Sequence, residues 1–253
     1  MNFTSLKFLI VFLISTFLMS CGGDDSKSGG KGTVNFRFKL VYGNEPLEMF
    51  KTYKYPVTND NFYLTRLSFF LSELKIKSTS REVMLKDIDY LNLTASHTGN
   101  TANTGLEYKI SDIPSGNYSA VQFGIGVPKA SNAKEPKDFS ASSILSSPAE
   151  YWSSWKSYIF FRPEGKIALD GSTVFDTDFA LHLGSDDALT TYDISRTIQI
   201  IDGQTTNVDI TIDMQKFFNG GTLHDIENTP QIHSLVQLPI MKKLVENLKT
   251  AVK

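Results

Sequence analysis

V-N-F-R-F-K-L-V-Y, Val34 to Tyr42, places apolar side chains at Val34, Phe36, Phe38, Leu40 and Tyr42, with Asn35, Arg37 and Lys39 between them. Successive side chains of a strand point to opposite faces, so this alternation predicts a half-buried β-strand. Asn44 to Pro46 then turns the chain. The stretch Phe62 to Ile76, rich in Phe, Leu and Ile, predicts one long strand bent near Ser68 to Ser72, and Val83 to Leu93 another. Thr94 to Gly105 is a polar loop, and Ile113 to Tyr118 a turn with Pro and Gly at its corners. Val121, Phe123, Ile125 and Val127 alternate next, with Gly124 and Gly126 on the opposite face, a pattern that implies close packing against the backbone. Further strands are expected at Lys166–Leu169, Phe175–Leu183, Asp193–Ile201 and Asn207–Met214. Near the end, Leu238, Met241, Leu244, Val245, Leu248 and Val252 recur at helical spacing, with Pro239 where a first turn accepts it. The fold expected is mainly β: an antiparallel β-sandwich of at least seven strands, Ig-like or an open barrel, with a C-terminal amphipathic helix.

The N-terminus points to export. Lys7 precedes the apolar run Phe8 to Leu18, which is short for a membrane span and suits a secretory signal. The run ends in L-M-S-C, the pattern read by a lipoprotein signal peptidase, with Cys21 as the lipidated first residue of the mature chain. Expected, therefore, are a cleaved lipoprotein signal peptide at 1–20, a lipid-anchored flexible tether at 21–32 and a β-sandwich domain at 33–253. The tether, Gly22 to Gly32, is rich in Gly, Ser and charge. Its Asp24-Asp25 pair resembles a surface-export signal of some Gram-negative lipoproteins and reads equally well as solvated linker. The location expected is an outer-membrane lipoprotein on the periplasmic face or the cell surface, held to the membrane through lipid on Cys21.

Cys21 is the single cysteine, so neither a disulfide nor a thiolate metal site is available to the mature domain. The net charge is −2 with acids and bases intermixed, which gives no reason to expect a nucleic-acid partner. No phosphate loop, nucleophile elbow or paired-His helix motif occurs, and no carboxylate pair stands out as acid and base. A binding protein rather than an enzyme is expected.

Four histidines remain, His97, His182, His224 and His233. In an oxidising compartment without thiols, imidazole is the natural ligand for copper or zinc, although a hydrogen-bonded structural histidine is the commoner case. His182 sits between Leu181 and Leu183, so its ring points away from theirs, and His224 and His233 flank a polar loop. The Pro-, Lys- and Ser-rich excursion Pro128 to Pro148 has the length of a functional loop. It leads into Y-W-S-S-W-K-S-Y-I-F-F, Tyr151 to Phe161, which holds both tryptophans of the chain.

Four segments, in order, resemble the MbnP family of periplasmic copper-binding proteins: the long strand Phe62 to Ile76, the P-x-G-x-Y turn and F-x-I-G-V of Ile113 to Val127, the Trp-rich segment with its E-G from Tyr151 to Gly165, and H-L-G at His182 to Gly184. His233 and Asn247 also fall where the family tends to show a His and then an Asn. The resemblance implies a mononuclear copper site built on histidines, with His182 and His233 as ligands and His224 as a substitute. In some family members an oxidised tryptophan, a kynurenine made by a partner di-haem peroxidase-like enzyme, lies at or near the metal. Aligned without gaps from Glu164 backwards, Trp152 takes the place of the first family Trp, the second falls on Ser154, and Trp155 is one position late. Trp152 and Trp155 are thus expected at or beside the site, with Trp152 rather than Trp155 the one modified if either is. The function expected is copper capture, storage or delivery. The alternatives are a structural or interaction lipoprotein without metal, or a protein substrate of a di-haem enzyme.

Overall fold

The computed structural model describes residues 29–253; the expected signal peptide, Cys21 and the expected tether as far as residue 28 lie outside the described residues. In chain order the strands are β1 (Lys31–Tyr42), β2 (Glu45–Pro46), β3 (Tyr53–Lys54), β4 (Asn61–Lys77), β5 (Glu82–Asn92), β6 (Leu106–Pro114), β7 (Gly116–Ile125), β8 (Tyr151–Trp152), β9 (Ser157–Ala168), β10 (Thr177–Leu181), β11 (Leu183–Gly184), β12 (Thr190–Ile200), β13 (Thr205–Asp213) and β14 (Gln231–Ile232). The helices are α1 (Lys129–Asn132), α2 (Met214–Asn219) and α3 (Leu238–Ala251). Among them none is long and apolar enough to cross a membrane.

Strand β1 centres a four-stranded sheet with β13, β2 and β6. The other sheet has ten strands in the order β12-β7-β4-β9-β10-β14, with β3 and β5 on β4 and with β8 and β11 on β9. Neither sheet closes into a barrel. The alternating apolar face of β1 explains how they meet: the Phe38 ring stands edge-on to Phe69 at 5.8 Å and to Phe123 at 6.2 Å across the sandwich. Most ladders are antiparallel as expected, but β1 runs parallel to β13 and β10 parallel to β14. Parallel neighbours require a long connection, and both pairs are joined by one.

The long strand β4 is as expected, but its irregularities lie at Thr65 and Glu73 rather than within Ser68 to Ser72. The register against β9 shifts between Leu64 and Arg66, and the register against β7 shifts between Ser72 and Lys75, each with one extra residue on β4. Each extra residue moves the inward phase by one. Phe62 and Leu64 face the core, then Leu67, Phe69 and Leu71, then Leu74 and Ile76, all fully buried. Glu73 takes the left-handed backbone, φ 49°, that lets the strand bulge there.

The glycine pattern on β7 has the expected cause. A Cβ on Gly126 would collide with the Phe160 ring, and its φ of +126° disfavours any other residue. Strand β9 absorbs both the end of the aromatic segment and the separately expected Lys166–Leu169 strand. The last long strand stops at Asp213, one residue early, because the Asp213 carboxylate accepts from the amides of Gln215 and Lys216 and caps α2.

Helix α3 buries Met241, Leu244, Val245 and Leu248, each worth about 1.5–3 kcal/mol of apolar burial. Asn247 lies within that buried stripe and is a clamp. Its side-chain amide donates to the carbonyls of Phe217 and Thr222 and its oxygen accepts from the Thr222 amide, which ties α3 to the end of α2.

His97 closes the edge of β1 beyond the reach of β6. Its Nε2 accepts from the Leu40 amide at 2.9 Å while Nδ1 donates to the Leu93 carbonyl at 2.8 Å, with the ring fully buried. Burial lowers its pKa below the ordinary 6.5, against the opposing pull of the Leu93 bond, and burial lowers that of His224 likewise. The unfolded chain then takes up protons that the folded chain refuses, so stability is fully present above about pH 6.5 and falls as the pH drops below it. His97→Ala, which also leaves the Leu40 amide unpaired, should cost about 2 kcal/mol at pH 7.5 and flatten the decline between pH 7 and 5, read from urea midpoints at each pH.

Candidate metal centre

The outer face of the large sheet carries the site, and the excursion from Pro128 onward brings one wall of it. That segment is pinned by Asn132, whose side-chain oxygen accepts from the Ser157 hydroxyl and the Tyr158 amide, and by the Tyr158 hydroxyl, which donates to the Leu145 carbonyl at 2.5 Å. A short 3-10 turn, Pro148–Glu150, capped by Ser147, then delivers Glu150 and the hairpin of β8 and β9. Trp155 donates its amide to the Trp152 carbonyl across this tight hairpin, and the two indoles stack with centroids 5.1 Å apart and planes 11° from parallel. It is Trp155, not Ser154, that lies against Trp152.

The histidine pair is a consequence of strand register. Leu181 and Leu183 are fully buried on the core side, so His182, at the break between β10 and β11, faces the other way. Strand β14 runs parallel to β10 with Leu181 paired to Ile232, which sets the next residues, His182 and His233, side by side. Their ring centroids are 4.7 Å apart, and Trp152 stands edge-on to both, 5.4 Å from His182 and 4.9 Å from His233. His233 is held from both sides: its amide donates to Gln237 Oε1 at 2.8 Å, and its carbonyl accepts from Trp155 Nε1 at 3.0 Å. The rings, Trp152, Arg162 and Ile159 line an open cleft of about 290 Å³.

One nitrogen of each ring, His182 Nδ1 and His233 Nε2, is buried without a hydrogen-bond partner. A buried polar atom left so costs about 1–3 kcal/mol, and native proteins keep few of them without a purpose. Burial lowers the His233 pKa, and the neighbouring His182 and Arg162 lower it further against the pull of Glu164, so its ring is kept neutral with a lone pair available. Two facing imidazoles with free nitrogens fit copper or another late transition metal. Among the described residues no group of three or more His, Cys, Asp or Glu could hold an ion, so the protein offers a two-histidine donor set.

The other two histidines do not join the pair. His97 is the clamp on β1, and His224 Nε2 is engaged by the Thr229 carbonyl at 3.0 Å with its ring buried.

Beneath the pair lies a row of charges. Glu164 Oε1 accepts from His182 Nε2 at 2.8 Å and from Arg162 Nε at 2.5 Å. Arg162 Nη1 donates to Glu150 Oε2 at 2.9 Å, and Arg66 Nη2 donates to Glu150 Oε1 at 2.5 Å and to the Tyr90 hydroxyl at 2.8 Å. Burial raises the Glu164 carboxyl, but hydrogen bonds from His182 and Arg162 outweigh it and hold the pKa down at about 2. The ladder follows from register, since Arg66 lies opposite Glu164 and Ser68 opposite Arg162 on paired strands. Sequence reasoning passed over Arg66, Glu150 and Arg162 and used Glu164 only as part of a motif. The available signal was charged residues on the polar face of two strands whose other face is apolar.

Two outcomes follow from this geometry. Glu150→Ala leaves two partly buried guanidinium groups without their shared carboxylate and should cost about 3 kcal/mol, measured by denaturant unfolding. The stacked indoles should give a far-ultraviolet exciton couplet in circular dichroism that Trp152→Phe abolishes; a spectrum unchanged by that substitution would contradict the stacking.

Comparison with known proteins agrees with the sequence resemblance. The family model MbnP matches residues 31–234, a span that contains His182, His233, Trp152, Trp155 and Glu164. A solved structure, MbnP from Methylosinus trichosporium, is similar with a TM-score of 0.49 and 10% identity, over 76% of this chain and 79% of that one. A search of curated proteins finds no match. The chain belongs to the MbnP family.

Proposed function

We propose that this chain is a lipid-anchored extracytoplasmic copper-binding protein that captures, stores or delivers copper through a mononuclear site on His182 and His233. The observation that carries this reading is the pair of unpartnered ring nitrogens, His182 Nδ1 and His233 Nε2, on two imidazoles 4.7 Å apart. The family's link to copper supports the choice of metal. Zinc is the weaker fit, because closed zinc sites use four protein ligands and this site provides two. When bound, the ion would supply coordination and redox chemistry, and the protein would supply a preorganised pair of nitrogen donors beside an indole. Copper loading followed by desalting and elemental analysis tests it. His182→Ala and His233→Ala should each lower affinity at least tenfold, whereas His224→Ala should retain copper. Equal stoichiometry and affinity in wild type and both pair variants would eliminate the assignment.

A second reading makes the chain the substrate of a di-haem peroxidase-like enzyme that oxidises Trp152. It is favoured by the half-buried placement of Trp152, edge-on to both imidazoles and stacked on Trp155. Intact mass of protein from its native host, with added oxygen or loss of carbon on Trp152, tests that reading; an unmodified mass opposes it. The anchor is tested separately. Cys21→Ser should release a soluble protein or leave an uncleaved precursor, and a processed membrane-bound variant would rule out lipidation at Cys21.

A further inference from the structure

The row of charges under the histidine pair has more structure than stability requires. A partly buried chain of ions costs desolvation, and apolar residues of similar size are often at least as stable in such a place. Its order is directional. Arg66, tied to Ser68 and Tyr90, holds one oxygen of the buried Glu150; the other oxygen of Glu150 holds Arg162; and Arg162 holds Glu164. The chain ends on His182 Nε2. Arg162 Nε and His182 Nε2 both lie within hydrogen-bond distance of Glu164 Oε1, and an ionised carboxylate can only accept, so the proton of the His182 ring is on Nε2. The remaining nitrogen, Nδ1, is the one buried without a partner.

We propose that Glu164 is the positioning residue of the histidine pair: it commits His182 to the Nε2–H tautomer, and the Arg66–Glu150–Arg162 relay holds it there, so that metal is taken by His182 through Nδ1 and by His233 through Nε2. The second half rests on the copper reading, and the first half does not. A carboxylate on the far nitrogen of a ligating imidazole fixes ring orientation and raises its basicity, and removing such a partner typically costs 10–100-fold in metal affinity. Glu164 Oε1 serves the His182 ring and Arg162 in this arrangement, so that oxygen orients the ligand rather than binding the ion.

The test is long-range proton–nitrogen NMR on the full chain labelled with nitrogen-15 at histidine. Only four histidines are present, and His97 has the opposite tautomer, with its proton on Nδ1, so its signal reports an intact fold in every variant. Without metal, His182 should show a protonated Nε2 and a bare Nδ1. One equivalent of copper(I), which is diamagnetic, should shift His182 Nδ1 and His233 Nε2 and leave the Nε2 proton of His182 in place. Glu164→Ala should mix the His182 tautomers and weaken copper binding 10–100-fold while the His97 signal stays unchanged, and Glu164→Gln, whose amide oxygen can still accept, should restore part of both. A shift at Nε2 of His182 on copper addition, or a Glu164→Ala variant with wild-type tautomer and affinity, overturns the proposal. If no histidine nitrogen of the wild type responds to copper, the copper reading fails, and the tautomer seen without metal still decides the role of Glu164.

Discussion

Strand β4 has to serve two faces and three phases along 17 residues, and the rest of the domain depends on how it does so. A strand without bulges would carry Phe62, Leu64, Leu67, Phe69, Leu71, Leu74 and Ile76 to both sides of the sheet, and about half of that apolar surface would face away from the core. The bulges at Thr65 and Glu73 bring all seven to the same side. At roughly 1.5–3 kcal/mol for each buried large side chain, the gain far exceeds the few ladder bonds that two bulges disturb. The same phase changes decide what stands on the outer face. After the first bulge Arg66 and Ser68 point outward, opposite Glu164 and Arg162, and the charge ladder is laid down as a by-product of core packing.

The outer face would be an ordinary solvated sheet surface if the segment from Pro128 to Trp155 did not cover part of it. Its turns add no long element of regular structure. They matter because they place Glu150 between two guanidinium groups and lay Trp152 beside His182 and His233. Covering raises the strength of each charged contact by excluding water and raises the cost of any contact left incomplete. The ladder is complete from Tyr90 to His182, and beyond it, where the two rings lie 4.7 Å apart, one buried nitrogen of each is left without a partner. Of the buried side-chain atoms without a partner among the described residues, these two are the imidazole nitrogens, and they lie on adjacent rings, which is what gives the pair functional meaning.

The histidines also illustrate how one residue type divides by environment. His97 is fully buried, accepts from one amide and donates to one carbonyl, and holds a strand edge. His224 is tied to a carbonyl of its own loop. His182 is tied on one nitrogen only, by a carboxylate, and His233 has a free buried nitrogen with its backbone fixed by Gln237 and Trp155. Composition treats these four alike; hydrogen-bond partners separate two clamps from two donors.

Alternation along β1 and β7, the helical stripe of α3 and the outward turn of His182 between two leucines were legible in the sequence, because each depends on the two- or 3.6-residue period of the local backbone. The bulges of β4 were not read: the sequence suggested a bend near Ser68 to Ser72, whereas the extra residues lie at Thr65 and Glu73, where the pairing with β9 and β7 sets them. The meeting of His182 with His233 was not legible, since it depends on a parallel register, Leu181 with Ile232, between segments about fifty residues apart. Nor was the arrival of Glu150, or the choice of His182 Nδ1 as the free nitrogen. The sequence by itself determined which residues could be inside, which could be strand or helix, and which histidine would point away from the core. Tertiary structure alone decided which side chains meet, because cross-strand register and loop placement are set by the packing of the whole sandwich and leave no periodic trace in the chain.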